Sequence, residues 1–153
     1  LAEDGLNCEI IADCIHVCPG AMKLLVKNKP SDKVTLITDS MRAKHLPDGV
    51  SELGGQTVYV KNGEARLADG TLAGSVLKMN VAVKNMVERV GVSIENAVAF
   101  ATENPAKNLS VFHERGSITV GKVADFAVLK PDFSIEKTIR GGKTIFEENR
   151  ENR

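Results

Sequence analysis

Two apolar runs flank a helical pattern near the start of the chain. Val34, Leu36 and Ile37 lie in a run of β-branched and aliphatic residues, which predicts a strand buried on both faces. Another strand is predicted over residues 8–17, and residues 21–28 have helical spacing. Strand, helix and strand form a βαβ unit, whose strands run parallel and are joined by a right-handed crossover.

The next stretch contains a hairpin signal. Alternating runs over residues 56–60 and 64–67 flank the sequence Lys61-Asn62-Gly63, and an Asn-Gly pair in that position predicts a β-hairpin. Between Asp39 and this hairpin the sequence is irregular, with a turn signal at residues 46–49.

Helical periodicity returns after the hairpin. Residues 76–90 carry one apolar face, and Gly91 is expected to end that helix. Ser93 is expected to cap the next helix, which Pro105 breaks or restarts.

The tail changes to a strand-like period. Strands are predicted over residues 116–121 and 124–129, and Gly141-Gly142 separates the two arms of another hairpin, 134–139 and 143–146.

These patterns divide the chain into two parts and a short tail. Residues 1–110 are predicted to be α/β, residues 111–147 to be antiparallel β, and residues 148–153 to be a frayed polar end. The chain opens on Leu1 and lacks the strand–helix repeats that close a barrel, so we expect it to be part of a longer polypeptide.

Composition excludes several classes of partner. The 153 residues are 42% apolar and 26% charged, as in globular domains, and the formal net charge is zero. Nothing here favours binding to nucleic acid or to an anionic membrane. No apolar run approaches the roughly 18 residues of a membrane span.

The three cysteines are clustered. An odd number of cysteines at Cys8, Cys14 and Cys18 is not a disulfide framework, so we expect a reducing compartment and a cytoplasmic location. In an extended strand Cys14, His16 and Cys18 would share one face, which is a conceivable zinc arrangement. Such side chains lie about 6.6–7 Å apart, however, so small buried side chains are the preferred interpretation.

The candidate chemistry lies where the two parallel strands end. Asp39 follows the second strand, at the sheet edge where parallel sheets carry their active sites, and the alternative is that it caps a following helix. His16, three residues after Asp13, stands at the equivalent end of the first strand. Asp39 and His16 are therefore expected within reach of one substrate, although a histidine there can also be merely hydrogen-bonded.

A loop of small residues precedes the long helical pattern. The sequence Leu72-Ala73-Gly74-Ser75 would offer backbone N–H groups and a helix N-terminus to a polar or anionic group. The alternative is that Ser75 is an ordinary N-cap.

Taken together, these signals resemble a known family. Five motifs occur in order along the chain: Ile-Ala-Asp13-Cys-Ile-His16-Val, Thr38-Asp39-Ser-Met, Gly70-Thr-Leu72-Ala-Gly74-Ser, Asn104-Pro-Ala-Lys-Asn-Leu and Gly116-Ser-Ile-Thr-Val-Gly-Lys-Val-Ala-Asp125-Phe-Ala-Val. They resemble the C-terminal part of the N-acetylglucosamine-6-phosphate deacetylases of the amidohydrolase superfamily, over nearly the whole chain. The tail motif alone is specific only for the superfamily.

The resemblance implies a fold and a reaction. The fold is the C-terminal part of a (β/α)8 TIM barrel, with its last two strands and helices, plus strands of a small β-sandwich shared between the two termini of the polypeptide. The reaction is hydrolysis of N-acetylglucosamine 6-phosphate to glucosamine 6-phosphate and acetate, in which a divalent metal (zinc or iron) polarises the amide and activates a water.

The resemblance also implies roles for particular residues. Asp39 matches the catalytic carboxylate, which moves the proton from the water to the leaving amine and is also a possible ligand of a second metal. The expected substrate contacts are His16, the adjoining segment Asp13, Cys14 and Ile15, and the loop Leu72, Ala73 and Gly74. Cys14 departs from the family's usual Gly, so its β-carbon could crowd the sugar, and Cys18 replaces another polar residue.

The resemblance leaves the metal without its main ligands. The family's ligands, a Glu and two His, belong to earlier strands, and no residue here matches them. We therefore expect the chain alone to be inactive and to need a companion N-terminal segment or a homodimer. Two alternatives remain: a non-catalytic sugar-phosphate-binding or structural relic, and another amidohydrolase, such as a dihydroorotase-like or cytosine-deaminase-like enzyme.

Overall fold

The computed structural model describes residues 3–148. Its regular elements follow the chain as β1 (Cys8–Ile11), α1 (Pro19–Asn28), a 3-10 turn (Ser31–Lys33), β2 (Val34–Ile37), a second 3-10 turn (Arg42–His45), β3 (Gly49–Leu53), β4 (Gln56–Lys61), β5 (Glu64–Arg66), α2 (Met79–Asn85), a π-helical turn (Met86–Val90), α3 (Ile94–Ala101), α4 (Glu103–Asn108), β6 (Phe126–Leu129), β7 (Ile135–Arg140) and β8 (Lys143–Glu147). Of the predicted frayed tail, residues 149–153 lie outside the described residues, as do residues 1–2.

The predicted βαβ unit is confirmed. Strands β1 and β2 pair in parallel, from Cys8 opposite Val34 to Ile11 opposite Ile37, with α1 between them in sequence. Helix α1 begins at Pro19, which suits the first turn because that turn leaves its N–H groups without intrahelical partners.

The first strand is shorter than predicted, because β1 ends at Ile11 rather than at residue 17. The Oδ1 atom of Asp13 accepts the backbone N–H groups of Ile15 and His16, each at 2.9 Å, so the side chain folds this segment into a turn. The prediction that Cys14, His16 and Cys18 share a strand face is therefore wrong, and the zinc arrangement loses its geometric basis.

The predicted hairpin is confirmed and extended. Strands β4 and β5 meet at Asn62-Gly63, and the sheet order is β3-β4-β5. The prediction of irregular chain before the hairpin is wrong, since β3 pairs with β4 from Gly49 opposite Val60 to Leu53 opposite Gln56.

The helical region is largely as predicted, with a later start. Helix α2 begins at Met79 instead of residue 76, and its last turn continues as a π-turn up to Gly91. Ser93 caps α3 by accepting the N–H of Asn96 at 3.3 Å, and Pro105 lies in the first turns of α4 after the chain has restarted as a helix.

In the tail, β6, β7 and β8 form the predicted antiparallel sheet. The strand predicted over residues 116–121 is wrong. Among the described residues this segment has no strand partner, and the side chains of Ile118 and Val120 are almost completely exposed.

Apolar side chains form two cores. The first joins β1, β2, α1, α2, the π-turn and α3 around its buried members Ile10, Met22, Val34, Leu36, Met86 and Phe100. The second joins Met41 and Ala43 to strands β4 and β5, around Val58, Val60 and Ala65. The β6–β8 part is tied to α2 by Asn80, whose Nδ2 donates to the carbonyl of Phe133 at 2.9 Å.

The described chain is thus a mixed α/β structure with one parallel strand pair and two antiparallel sheets. None of the helices within residues 3–148 has the length and apolar character needed to cross a bilayer.

A candidate active site at the ends of two parallel strands

Asp13 and Asp39 each follow one strand of the parallel pair. Ile11 pairs with Ile37 at the carboxyl ends of β1 and β2, and each carboxylate residue follows its strand end by the same short step. This is the edge at which parallel sheets bind ligands, because the loops that leave it converge.

Asp39 is an exposed carboxylate in a strained backbone conformation. Its φ is 45°, in the left-handed region that residues with a side chain rarely enter. The interpretation of Asp39 as a helix cap is wrong, because the 3-10 turn that follows begins after Met41 and has no side-chain cap. Strain of this kind is concentrated at functional sites, so the backbone favours a chemical role.

Asp13 orients His16. The Nδ1 atom of His16 lies 2.6 Å from Oδ2 of Asp13, while Oδ1 of Asp13 holds the turn described above. The Asp13 side chain is 8% exposed and that of His16 is 23% exposed, so the carboxylate is the more deeply buried partner of the pair. A carboxylate at Nδ1 fixes the proton on that nitrogen, which leaves Nε2 available to a ligand.

The pKa of Asp13 carries a testable consequence. Burial raises the pKa of Asp13, but the hydrogen bonds from the His16 ring and from the N–H groups of Ile15 and His16 outweigh burial and leave it below the usual 3.8. The charged carboxylate therefore stabilises the fold at every pH above the usual pKa of the group. This contribution is lost as the pH falls through the lowered pKa of the folded protein. We expect the free energy of unfolding of the Asp13→Asn variant to lie below that of the wild type near pH 7.

As the pH falls below 3.8 and through the lowered pKa of Asp13, the two unfolding free energies should converge, because the wild-type carboxyl becomes protonated in the folded protein as well. Chemical unfolding at a series of pH values measures both curves. A constant gap between them across the whole range would contradict the proposed role of the Asp13 charge.

Cys14 adopts a glycine-like conformation. Its φ is 66°, so the backbone keeps a left-handed angle although the residue carries a β-carbon. Burial raises the pKa of the Cys14 thiol, and its side chain packs against the first core. A protonated thiol packed on the core fits the interpretation of Cys14 as a small apolar side chain, although Cys14 is only half-buried. The prediction of buried cysteines is wrong for Cys18, whose side chain is exposed.

The predicted loop at Leu72, Ala73 and Gly74 continues the hairpin sheet. Leu72 bridges to Arg66, and the N–H of Ala73 donates to the carbonyl of Ala65 at 2.8 Å. The interpretation of this loop as the free N-terminus of a helix is wrong, because α2 begins at Met79 and the Ala73 N–H is already bonded.

A backbone bridge and the Ser40 hydroxyl join the segment after this loop to the end of β2. Ser40 and Ser75 form a parallel bridge, and the N–H of Met41 donates to the carbonyl of Ser75 at 2.9 Å. The hydroxyl of Ser40 donates to the carbonyl of Leu77 at 2.6 Å, and the N–H of Leu77 donates to Oγ of Ser75 at 2.9 Å. The helix-cap interpretation of Ser75 is therefore wrong, because its oxygen shapes the turn before Leu77.

Sequence reasoning also missed Asn85. Its Nδ2 donates to the carbonyl of Ala12 at 2.9 Å, so the end of α2 holds the residue just before Asp13. The signal available in the sequence was the weak helix propensity of Asn inside a helical pattern. The π-turn that begins at Met86, a feature frequent at functional sites, is visible only in the structure.

Of the two cavities described here, one is lined by part of the predicted site. A cavity of about 420 Å³ is lined by Asp13, Ile15, the hairpin tip Asn62-Gly63 and Lys78, with further residues around them. Asp39, His16 and the Leu72–Gly74 loop do not line it. Another cavity, of about 680 Å³, lies on the β4–β5 hairpin and contains none of the predicted site residues.

The described residues do not supply a metal site. Across residues 3–148, His, Cys, Asp and Glu side chains nowhere gather in a group of three that could hold an ion. The carboxylate of Asp39 and Nε2 of His16 are single donors on separate strand ends, whereas a protein site for zinc takes three or four ligands.

Comparison with known proteins identifies close relatives. The model of the "Amidohydrolase family" matches residues 3–145. An N-acetylglucosamine-6-phosphate deacetylase from Bacillus subtilis is 49% identical over 146 residues, which are 95% of this chain and 37% of that protein. An N-acetylgalactosamine-6-phosphate deacetylase from Escherichia coli O157:H7 is 40% identical, over 84% of this chain and 34% of that protein.

Solved structures agree with these relatives. The crystal structure of an N-acetylglucosamine-6-phosphate deacetylase from Thermotoga maritima superposes with a TM-score of 0.88 at 37% identity. The superposition covers 96% of this chain and 40% of that one. The chain therefore spans well under half the length of the relatives it matches.

Proposed function

The chain belongs to the amidohydrolase family, and from that membership we propose that it is the C-terminal part of a metal-dependent deacetylase. The reaction is hydrolysis of the acetamide of N-acetylglucosamine 6-phosphate. The observation that carries this proposal is the 49% identity to a deacetylase for that substrate, sustained over 95% of the chain.

The same proposal gives the strands an architecture. Strands β1 and β2 are the last two strands of a (β/α)8 barrel, and β6–β8 belong to a small β-sandwich. The parallel pairing of β1 with β2 supports the first assignment, and the separate antiparallel sheet supports the second. The division falls near residue 110, with residues 1–110 in the barrel part and residues 111–147 in the sandwich part.

Asp39 is the proposed catalytic residue. Its carboxylate takes a proton from the attacking water, whose oxygen bonds to the acetamide carbonyl carbon. The same group then returns the proton to the amine nitrogen as the C–N bond breaks, giving glucosamine 6-phosphate and acetate. The exposed position of Asp39 at the carboxyl end of β2 supports this role.

His16 is proposed to hold the substrate. Asp13 fixes the ring so that Nε2 faces a ligand as a hydrogen-bond acceptor when the ring is neutral, or as a donor when it is protonated. The adjoining Cys14 and Ile15 contribute backbone contacts. The Leu72-Ala73-Gly74 loop contributes the opposite side of the site, next to the end of β2.

Amidohydrolases are generally metal-dependent. Because the described residues lack a three-ligand group, we assign no catalytic step to a metal here. We propose that a zinc or iron(II) ion is held mainly by the polypeptide that precedes this chain, with Asp39 as a possible additional ligand. A companion N-terminal segment or a homodimer would complete the site. The free cysteines fit a cytoplasmic location.

Acetate release tests the proposal directly. The 153-residue chain, and a complete polypeptide in which the preceding part of the barrel is joined to it, are each incubated with N-acetylglucosamine 6-phosphate. Zinc, iron(II) or a chelator is added. Acetate is expected from the complete polypeptide with metal, and not from the chain alone.

The galactosamine epimer serves as the second substrate, because one relative carries that name. Faster turnover of N-acetylgalactosamine 6-phosphate would change the assigned sugar and keep the reaction. Absence of acetate from the complete polypeptide with either sugar and either metal would refute the deacetylase proposal and favour a binding or structural role.

A further inference from the structure

Two segments far apart in sequence are fastened together beside Asp39. Ser40 and Met41, which follow Asp39, bond to Ser75 and Leu77, which follow the Leu72–Gly74 loop. We call these four residues the Ser40–Ser75 clasp. Its contacts include one backbone bond, from Met41 to Ser75, and two bonds that depend on serine hydroxyl groups.

Three of the four clasp residues are buried, and Ser40 is half-buried. Ser75 is 1% exposed, and Leu77 and Met41 are each 7% exposed. Hydrogen bonds that are shielded from water hold their geometry more rigidly than those on the surface, because breaking one leaves a buried group without a partner. A buried serine whose hydroxyl bonds only two residues along the chain is otherwise an unusual choice for a core position.

The clasp fixes the two residues that flank it. Asp39 precedes Ser40 and has a φ of 45°, and Gly74 precedes Ser75 and has a φ of 107°. A β-carbon on Gly74 would lie 3.1 Å from Cδ2 of Leu53, so the loop also packs closely on the hairpin sheet. Unusual backbone angles persist only where the surrounding contacts over-determine them.

We propose that Ser40 and Ser75 are positioning residues, which set the distance between the Asp39 carboxylate and the Leu72–Gly74 loop. This inference rests on the proposed function, because it assigns a role within the same site. The Ser75 hydroxyl turns the chain so that the Leu77 carbonyl meets the Ser40 hydroxyl. The general base and the substrate-contacting loop then move as one body.

The size of the effect follows from proton-transfer geometry. Displacement of a catalytic group by about 1 Å can cost on the order of 100-fold in rate. The substrate keeps its other contacts, so its affinity should change much less. We therefore expect Ser75→Ala to lower kcat by about 10-fold or more while KM stays within about threefold.

The experiment compares single and double variants in the complete enzyme with metal. Ser40→Ala and Ser75→Ala are measured alone and together, since two parts of one device are not additive. The double variant is expected to lose no more kcat than the worse single variant. Ser40→Thr keeps a hydroxyl and should restore most of the rate that Ser40→Ala loses.

Ser93→Ala is the matched control, because it removes a serine hydroxyl bond at the start of α3 that has no part in the clasp. It should reduce stability without changing kcat. Hydrogen exchange at the Met41 amide, which bonds to the Ser75 carbonyl, reports the clasp itself and should quicken in Ser75→Ala.

Each outcome has a separate meaning. An active wild type whose kcat is unchanged in folded Ser75→Ala and Ser40→Ala would overturn the positioning role and leave the proposed function intact. Equal losses of kcat in Ser93→Ala would also overturn it, since the effect would then follow general stability. A wild type that releases no acetate would refute the proposed function first, and the positioning role with it.

Discussion

Asp39→Asn is expected to remove turnover from the complete enzyme while folding and substrate binding persist. General acid–base catalysis by a positioned side chain contributes roughly 10²–10⁴-fold, and an amide can neither take up nor return the proton, so a loss of this size is expected in kcat. KM should change little, because the proposed substrate contacts with His16 and the Leu72–Gly74 loop are kept.

The substitution is suited to the backbone at this position. Asn enters the left-handed region more readily than most residues, so the φ of 45° at Asp39 is retained without added strain. Within residues 3–148 the Asp39 carboxylate takes part in no hydrogen bond or ion pair whose loss could destabilise the fold. Asp39→Ala would confuse the result, because it removes the charge and also strains the backbone.

Asp32→Asn provides the matched control. Asp32 lies in the 3-10 turn at the opposite end of β2, and its nearest cation, Lys33, is 3.8 Å away on an exposed surface. Its turnover should equal that of the wild type, because parallel sheets carry their ligand sites at the carboxyl ends of the strands and not at the amino ends. Steady-state acetate release, with substrate binding measured by calorimetry, gives both quantities.

A folded Asp39→Asn enzyme that retained more than about a tenth of wild-type kcat would remove Asp39 from the catalytic role, since general-base loss should cost at least 10²-fold. Loss of binding together with turnover would instead make Asp39 a substrate or metal contact. The circular dichroism spectrum of the variant separates both results from misfolding.

The predicted site rests on one robust signal, the apolar run of β2 that ends at Asp39. A strand buried on both faces can be recognised in the sequence because most of its side chains are apolar, as Val34, Leu36 and Ile37 are, and parallel pairing with β1 then indicates the end at which chemistry is expected. Strand β3 was missed for the opposite reason. Its residues are mostly exposed, so it has no apolar alternation, and its pairing with β4 defines it.

Side chains that bond to the backbone account for other errors. The segment from Asp13 to His16 alternates like a strand, yet the Asp13 carboxylate captures two N–H groups and bends it. Ser75 looks like a helix cap, yet its oxygen bonds Leu77 before the helix begins. Such bonds form only where the chain can turn. The position of the turn is decided by tertiary contacts and cannot be read from the local sequence.

The strand predicted over residues 116–121 does not form because Gly116 turns the chain. Ile118 and Val120 have strand-forming side chains, but a strand also needs a partner, and Gly116 turns the chain at this point with a φ of +87°. A β-carbon on Gly116 would lie 2.6 Å from the Cβ of Ala106 and 3.1 Å from the carbonyl oxygen of Thr102. This glycine is therefore needed for close approach to α4 as well as for its backbone angle.

Gly116→Ala is expected to destabilise the fold by about 2–5 kcal/mol, through about 1–2 kcal/mol of left-handed strain and about 1–3 kcal/mol of overpacking. Gly121→Ala is the control, because Gly121 has a φ of +93° in the same segment but no atom within 4 Å of its added β-carbon. It should cost only the strain, about 1–2 kcal/mol. Urea unfolding followed by circular dichroism measures both changes in the free energy of unfolding.

The difference between the two changes in the free energy of unfolding isolates the contact of Gly116 with α4. Helix α4 in turn contacts β2, the strand that precedes Asp39. Asn104 of α4 is 3% exposed, and its Nδ2 donates to the carbonyls of Val34 at 2.6 Å and Ser31 at 2.7 Å, at the start of β2. A shift of α4 caused by the new methyl group would displace Asn104 and with it the start of β2, the strand that precedes Asp39. Equal destabilisation of Gly116→Ala and Gly121→Ala would show that α4 yields freely and that backbone strain alone explains the glycine.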